Sequence, residues 1–190
     1  MSNKNNTKSD ASQEEIIVRL FEHGDSEGIM DVDFSMKGVR IYKWLDGKLV
    51  KGKEYYDDED FSSEEKKAIV EKFGPYPSDR GWVKCGAFAG DVMVGFLVMF
   101  LYPSEQHIWG ISYCFVSRKY QRQGIATRMF ALAKTTVLEA GARKICFMSA
   151  INESAVDFYL SVGFTPFEKP PEDERWSGWD GEDIYMEMML

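Results

Sequence analysis

A chain of 190 residues, 44% hydrophobic and 28% charged with a formal net charge of −8, has the make-up of a soluble globular domain large enough to close a core. The acidic balance excludes a dedicated nucleic-acid binder, and the longest apolar run, 92 to 102, stops at Pro103 and is too short to span a membrane. The three cysteines (Cys85, Cys114 and Cys146) are too widely spaced for a metal knuckle and sit in apolar strand-like contexts, which predicts reduced buried thiols, a cytoplasmic setting and no metal.

Residues 1 to 13 are polar and read as a disordered lead-in to a single domain over 14 to 190. The segment 15 to 21 (EIIVRLF) has two readings. Ser12 and Glu15 could form a capping box for a helix, whereas the β-branched run favours a strand, which is the reading taken. A short helix is expected over 25 to 33. VRIYKW and KLVKGKEYY then flank Asp46-Gly47, a hairpin-turn dipeptide. The acid-rich segment 54 to 60 reads as solvated. Ser62, with Glu65 in the capping-box position, starts a helix that runs to Phe73 and stops at Gly74-Pro75.

WVKCGAFA and VMVGFLVMFLY around Gly90-Asp91 predict an antiparallel hairpin, and HIWGISYCFV (107 to 116) a third strand. Ile125, Met129, Ala133 and Val137 recur at helical spacing until Gly141. KICFMSA reads as a strand, 153 to 162 as a helix closed by Gly163, and IYMEMML as a final strand. The order predicts an α/β fold with a mixed sheet.

Between Ser117 and Arg128 this acidic chain carries Arg118, Lys119, Arg122 and Arg128 and no acid, around Gly124 at a helix start. Unpaired N–H groups and the positive dipole end make such a place an anion site. Gly124 permits close approach, Ala126 keeps the first turn slim, and several cations suit several phosphates. A basic helix start with a turn glycine is the plain alternative.

Two motifs extend this reading. Residues 107 to 167 resemble the core of the GNAT superfamily of acyl-CoA-dependent N-acyltransferases. Gln121-Arg122-Gln123-Gly124-Ile125-Ala126 matches the family's Q/R-x-x-G-x-G/A loop, and Asn152, Ala155, Tyr159, Gly163 and Phe164 match its N-x-x-A-x-x-x-Y-x-x-x-G-F segment. Val116 and Tyr120 also fit, whereas a proline usual between them is Arg118 here. The resemblance is good over 82 to 167 and weak before that. It implies a mostly antiparallel central sheet with one splayed parallel pair and flanking helices. It also implies acetyl-CoA as co-substrate, its pyrophosphate cradled by residues Gln121, Arg122, Gln123, Gly124, Ile125, Ala126 and Thr127. By the same resemblance, Phe115 and Val116 position the thioester carbonyl, Asn152 contacts the pantetheine arm, and Tyr159 protonates the departing thiolate.

The general base is not legible. The glutamate that some family members carry on the fourth strand falls on Gly110 here. Ser112 and Cys114 share the parity of Gly110, and Glu105 and His107 start the strand; a water relay is the alternative. The missing base leaves open a catalytically silent acyl-CoA-binding module, and without the motifs a plain interaction protein. Glu168 to Asp183 holds seven acids against Lys169 and Arg175, which has two readings: acids that draw in a cationic amine acceptor, a small molecule or a peptide, or acids that serve solubility alone. Trp176 and Trp179 are either a substrate lid or loop anchors. Gly47 to Lys53 matches G-x-x-x-x-G-K, but Glu54 replaces the metal-binding hydroxyl and the first glycine belongs to a turn. Acceptor identity and self-association into a homodimer stay open.

Overall fold

The computed structural model describes residues 15–75, 81–103, 105–172, 176 and 183–190. Strand β1 (Ile16–Leu20) leads through a 3-10 turn (Asp25–Asp31) into β2 (Met36–Leu45) and β3 (Lys48–Asp58), then helix α1 (Ser63–Phe73). Next come β4 (Trp82–Ala89), β5 (Val92–Leu101), β6 (Ile108–Val116), α2 (Ile125–Glu139), β7 (Lys144–Ser149), α3 (Glu153–Ser161), β8 (Thr165–Phe167) and β9 (Ile184–Met189). Seven strands form one sheet in the order β1-β4-β5-β6-β7-β9-β8, and β2 and β3 pair separately. Among these strand pairs only β6 and β7 run parallel. The mixed α/β sheet and its single parallel pair follow the sequence reading.

Local chemistry sets the boundaries. Ser62 Oγ accepts from Glu65 N while Glu65 accepts from Ser62 N, the reciprocal capping box read in the sequence. The run EIIVRLF is a strand because β1 pairs with β4 along its whole length and so satisfies its backbone at the sheet edge. β8, too short for any alternation, went unread. The acid run at 54 to 60 is only partly solvated. Its first five residues belong to β3, Asp57 accepts from Gly38 N at 2.6 Å, and Asp60 accepts from Phe34 N at 2.8 Å and Lys66 Nζ at 2.7 Å. In the G-x-x-x-x-G-K stretch, Gly47 sits in the hairpin turn at φ +70°, and a Cβ on Gly52 would lie 2.9 Å from Ile41 O, so it is strand and no phosphate loop.

The sheet has two buried faces. One packs against α2 and α3, with Leu97, Met99, Trp109, Met129, Ala133, Val156 and Tyr159 in its core. The other packs against α1 and the 3-10 turn, with Phe34, Ile69, Phe73, Phe96 and Val98. β4 and β5 are buried on both faces, which is why their sequences are nearly continuous apolar runs. The hairpin β2–β3 reaches over to α3: Tyr42 N donates to Ile151 O at 2.7 Å, and Ile41 bridges Asn152. Among the described residues no helix is long and apolar enough to cross a membrane.

Candidate active site

Parallel pairing of β6 with β7 is confined to Ile108–Lys144 and Trp109–Ile145. Beyond those pairs the strands diverge, and the main chain of Gly110 to Val116 has no ladder partner on the β7 side. β6 also bulges here. Val98 pairs with Tyr113 and Met99 with Ile111, so Ser112 is an extra residue. One inserted residue flips the alternation. Trp109, Ile111, Cys114 and Val116 belong to the α2–α3 side, whereas Tyr113 and Phe115 belong to the α1 side. The expected shared parity of Gly110 and Cys114 is therefore wrong, and the bulge is the reason.

A cavity of about 580 Å³ occupies the splay. Its walls include Cys114 and Val116 from one face and Phe34, Tyr113 and Phe115 from the other, so it passes through the sheet. At the α2 end it is lined by Gln121, Arg122, Gly124, Ile125, Ala126 and Thr127; at the α1 end by Asp33, Phe34 and Met36. Asn152 and Tyr159 flank the middle. Of the residues expected to hold the coenzyme or to act in catalysis (Phe115, Val116, Gln121 to Thr127, Asn152 and Tyr159), only Gln123 stays off the wall; its Nε2 lies 3.4 Å from Lys119 O.

The α2 end is a glycine-centred turn. Gly124, the N-cap, has φ +73°, and Arg122 has φ +62°, which is left-handed and unusual for a residue with a side chain. No side chain caps the helix, so its first N–H groups remain for an anion, and no acid lies in the first turn. A Cβ on Gly124 would meet nothing within 4 Å, so the turn faces open space. Gln121 Nε2 donates to Val116 O at 3.0 Å and ties the turn to the end of β6. The cationic island is narrower than the sequence implies. Only Arg122 of its four cations lines the cavity; Arg128 Nη1 donates to Ile16 O at 3.0 Å, and Lys119 lies 5.0 Å over the Tyr120 ring.

Tyr159 is buried, its ring packed against Phe147, Phe158 and Phe164 at centroid distances of 4.6, 5.0 and 5.6 Å. Its hydroxyl is in hydrogen-bonding reach of the Cys114 sulfur. Burial first, and then Cys114, hold that hydroxyl well above the ordinary tyrosine range. It is a neutral donor at any working pH. Burial likewise pushes the Cys114 thiol up to about 12, which disfavours its thiolate form. Asn152 Oδ1 accepts from Ala155 N at 2.8 Å and so caps α3 as well as lining the cavity.

Two of the base candidates are misplaced. Glu105 and His107 sit at the other end of β6, where His107 Nδ1 contacts Gly141 O at 2.9 Å, and neither lines the cavity. Ser112 lines it, with Oγ 3.5 Å from Lys72 Nζ. At Gly110 a Cβ would fall 2.5 Å from the Phe100 ring and 3.1 Å from the Tyr102 hydroxyl, so no longer residue fits there without repacking. Trp176 packs against Tyr102 and Tyr185 rather than on the cavity wall, the arrangement of a loop anchor; Trp179 and residues 173 and 174 lie outside the described residues.

Sequence reading missed two acids. Asp33 lines the α1 end, and Asp157 lies beside α3's wall. Asp157 Oδ1 accepts from the Tyr42 hydroxyl at 2.6 Å and Oδ2 from Lys51 Nζ at 2.8 Å; Lys51 and Arg40 also reach Glu153. These contacts fasten the hairpin to α3. The stripe Ser154, Asp157, Phe158 and Ser161 follows helical spacing and was legible; the hairpin's docking on it was not. Among the described residues no group of three His, Cys, Asp or Glu side chains is placed to hold a metal.

The family model described as Acetyltransferase (GNAT) family matches residues 40–164. The chain belongs to that family and is an acetyltransferase. No curated protein matches the sequence. Among solved structures, nourseothricin acetyltransferase shares the fold with a TM-score of 0.65 at 20% identity, over 92% of this chain and 98% of that one. A Bacillus anthracis protein provisionally assigned as a streptothricin acetyltransferase, solved with acetyl coenzyme A, has a TM-score of 0.66 at 18% identity, over 93% and 99%. The PaiA N-acetyltransferase of Thermoplasma acidophilum, solved with coenzyme A, has a TM-score of 0.58 at 15% identity, over 93% and 99%.

Proposed function

We propose that the protein acetylates a primary amine of a cationic small molecule or peptide by direct transfer, with Tyr159 as the acid. The observation that carries this is the cavity that passes through the sheet. A donor entering over Arg122 and Gly124 and an acceptor entering past Asp33 and Phe34 would meet between β6 and β7. The uncapped N–H groups of α2 and the Arg122 guanidinium suit a pyrophosphate. The unpaired strand edges suit the amides of an extended pantetheine arm. The end of β6 at Phe115 and Val116 would hold the thioester, with Asn152 opposite.

In the reaction the amine nitrogen bonds to the carbonyl carbon and the carbon–sulfur bond breaks. The departing sulfur takes the Tyr159 proton, and the amine's surplus proton leaves to solvent, from which the tyrosine is reprotonated. The raised Cys114 thiol argues against an acetylated cysteine, so both substrates must be bound together. Two structural neighbours are named as a nourseothricin and a streptothricin acetyltransferase, which suits a small-molecule acceptor, and the acid-rich segment before β9 suits a cationic one.

Thiol release from acetyl-CoA across a panel of amines tests this reading. Release is expected with cationic amines, with kcat/KM falling as ionic strength rises from about 0.01 to 0.15 M, over which the screening length shrinks from roughly 30 to 8 Å. A best substrate that is neutral or anionic, or parallel initial-rate lines diagnostic of an acyl-enzyme, overturns it.

A further inference from the structure

The α1 end of the cavity separates two carboxylates with different duties. Asp157 is committed: Tyr42 and Lys51 take its two oxygens. Asp33 is not. Its Oδ1 accepts from Ser35 N at 2.9 Å, and among the described residues no cation pairs with it. These are the only acids on the cavity wall among the described residues. Asp33 is also rigidly placed. Its N–H donates to the buried Ser117 Oγ at 2.9 Å, and Ser117 N donates to Val94 O at 2.8 Å, so the carboxylate is fixed relative to the end of β6. The neighbouring wall is aromatic. Phe34 lies 4.6 Å from Phe115 between ring centroids, and Tyr113 lies 6.2 Å from Phe115. At the opposite end Arg122 is the one cation on the wall among the described residues; at the α1 end Lys66 Nζ lies 5.5 Å from the Phe34 ring centroid, paired with Asp60, and Lys72 Nζ 5.3 Å from that of Tyr113, neither of them paired with Asp33.

We infer that Asp33, with the Phe34, Tyr113 and Phe115 rings beside it, is the acceptor's anchor and selects amines that carry a second cationic nitrogen. The nitrogen that attacks must be neutral, so it draws nothing from a carboxylate by charge. A second, protonated nitrogen does. A half-buried carboxylate without a cationic partner gives that nitrogen an ion pair, and the aromatic wall packs the chain between the two nitrogens. The inference rests on the reading of the cavity as an acetyl-CoA-dependent amine acetylation site and names the acceptor class for it.

The test compares putrescine with n-butylamine, acceptors of equal chain length with two and one basic nitrogens, on the full chain and on Asp33→Asn and Asp33→Glu. Putrescine should be preferred in kcat/KM by about tenfold or more, the scale of one charge-assisted hydrogen bond. Asp33→Asn should erase most of that preference through KM, and Asp33→Glu should restore part of it. Equilibrium binding of the two amines by calorimetry gives a readout that needs no turnover, and acetyl-CoA binding with the melting temperature shows that each variant is folded. If no amine is acetylated, the functional reading fails, while the binding arm still decides the anchor. Equal affinity for the two amines, a preference that survives Asp33→Asn, or an equal kcat loss for both amines in that variant overturns the inference; the last would make Asp33 a base.

Discussion

The two ends of the cavity are built in opposite ways. The donor end is one contiguous run, Gln121 to Thr127, whose turn is dictated locally by Gly124 and a helix start. The acceptor end is assembled from Asp33 to Met36, from the α1-side residues of β6, and from the aromatic layer between them, segments about eighty residues apart in sequence. A contiguous turn carries its geometry in its own residue types, whereas a wall of distant segments exists only once the sheet has closed. Binding of the donor should therefore respond to single residues of the turn, and binding of the acceptor to contacts that hold far-apart pieces in place.

The largest effect should come where the ends meet. Tyr159→Phe keeps the ring among Phe147, Phe158 and Phe164 and removes the proton, so kcat should fall by roughly 10²–10⁴ with acetyl-CoA affinity little changed. Thiol-release kinetics beside acetyl-CoA calorimetry separate the two quantities, and an unchanged kcat removes Tyr159 from the chemistry. Because its hydroxyl is held well above the usual range, the rate should show no limb from its ionisation below about pH 10.

Gly124→Asp breaks the donor end alone. It puts a carboxylate beside the anion and a side chain at φ +73°, and acetyl-CoA affinity should fall by about ten- to a hundredfold, the scale of lost charge-assisted contacts. Acceptor binding measured without acetyl-CoA should be much less affected. Equal losses at both ends would mean that the turn does not act locally.

Cys114→Ala should slow turnover by no more than about tenfold, the size of one lost hydrogen-bond partner for Tyr159, and double-reciprocal plots should keep intersecting. Abolished activity with an intact fold would instead make the cysteine a nucleophile.

The gentlest test concerns the hairpin. Arg40 first, and then Lys51, hold the Glu153 carboxyl down to about 2. A lowered carboxyl stabilises the folded state above its unfolded value, near pH 4.3, and that contribution fades as pH falls toward 2. Hydrogen exchange of β2 and β3 should therefore stay slow at pH 5 and accelerate between about pH 4 and 2, ahead of the central strands. In Glu153→Gln the hairpin should already exchange faster at pH 5. Simultaneous release of hairpin and central strands would show that the contacts to α3 are not a separate fastening.

By itself the sequence determined whatever depends on short-range pattern. The apolar runs of β4 and β5, the capping box at Ser62, the period of α2, the turn at Gly124 and the Asn152-to-Phe164 segment each express constraints within a few residues of backbone. Tertiary structure alone decided the rest. The extra residue at Ser112 leaves no mark in composition, because a bulge is a mismatch between two strands; yet it reversed which side of β6 Cys114 faces. Arg128 looked like a phosphate ligand until β1 came within its reach, and Asp33 looked like one acid among many until Ser117 and the phenylalanines closed around it. Charge and hydrogen-bonding capacity belong to a residue, but the partner that uses them is fixed by chain closure, and no local pattern encodes which distant segment arrives.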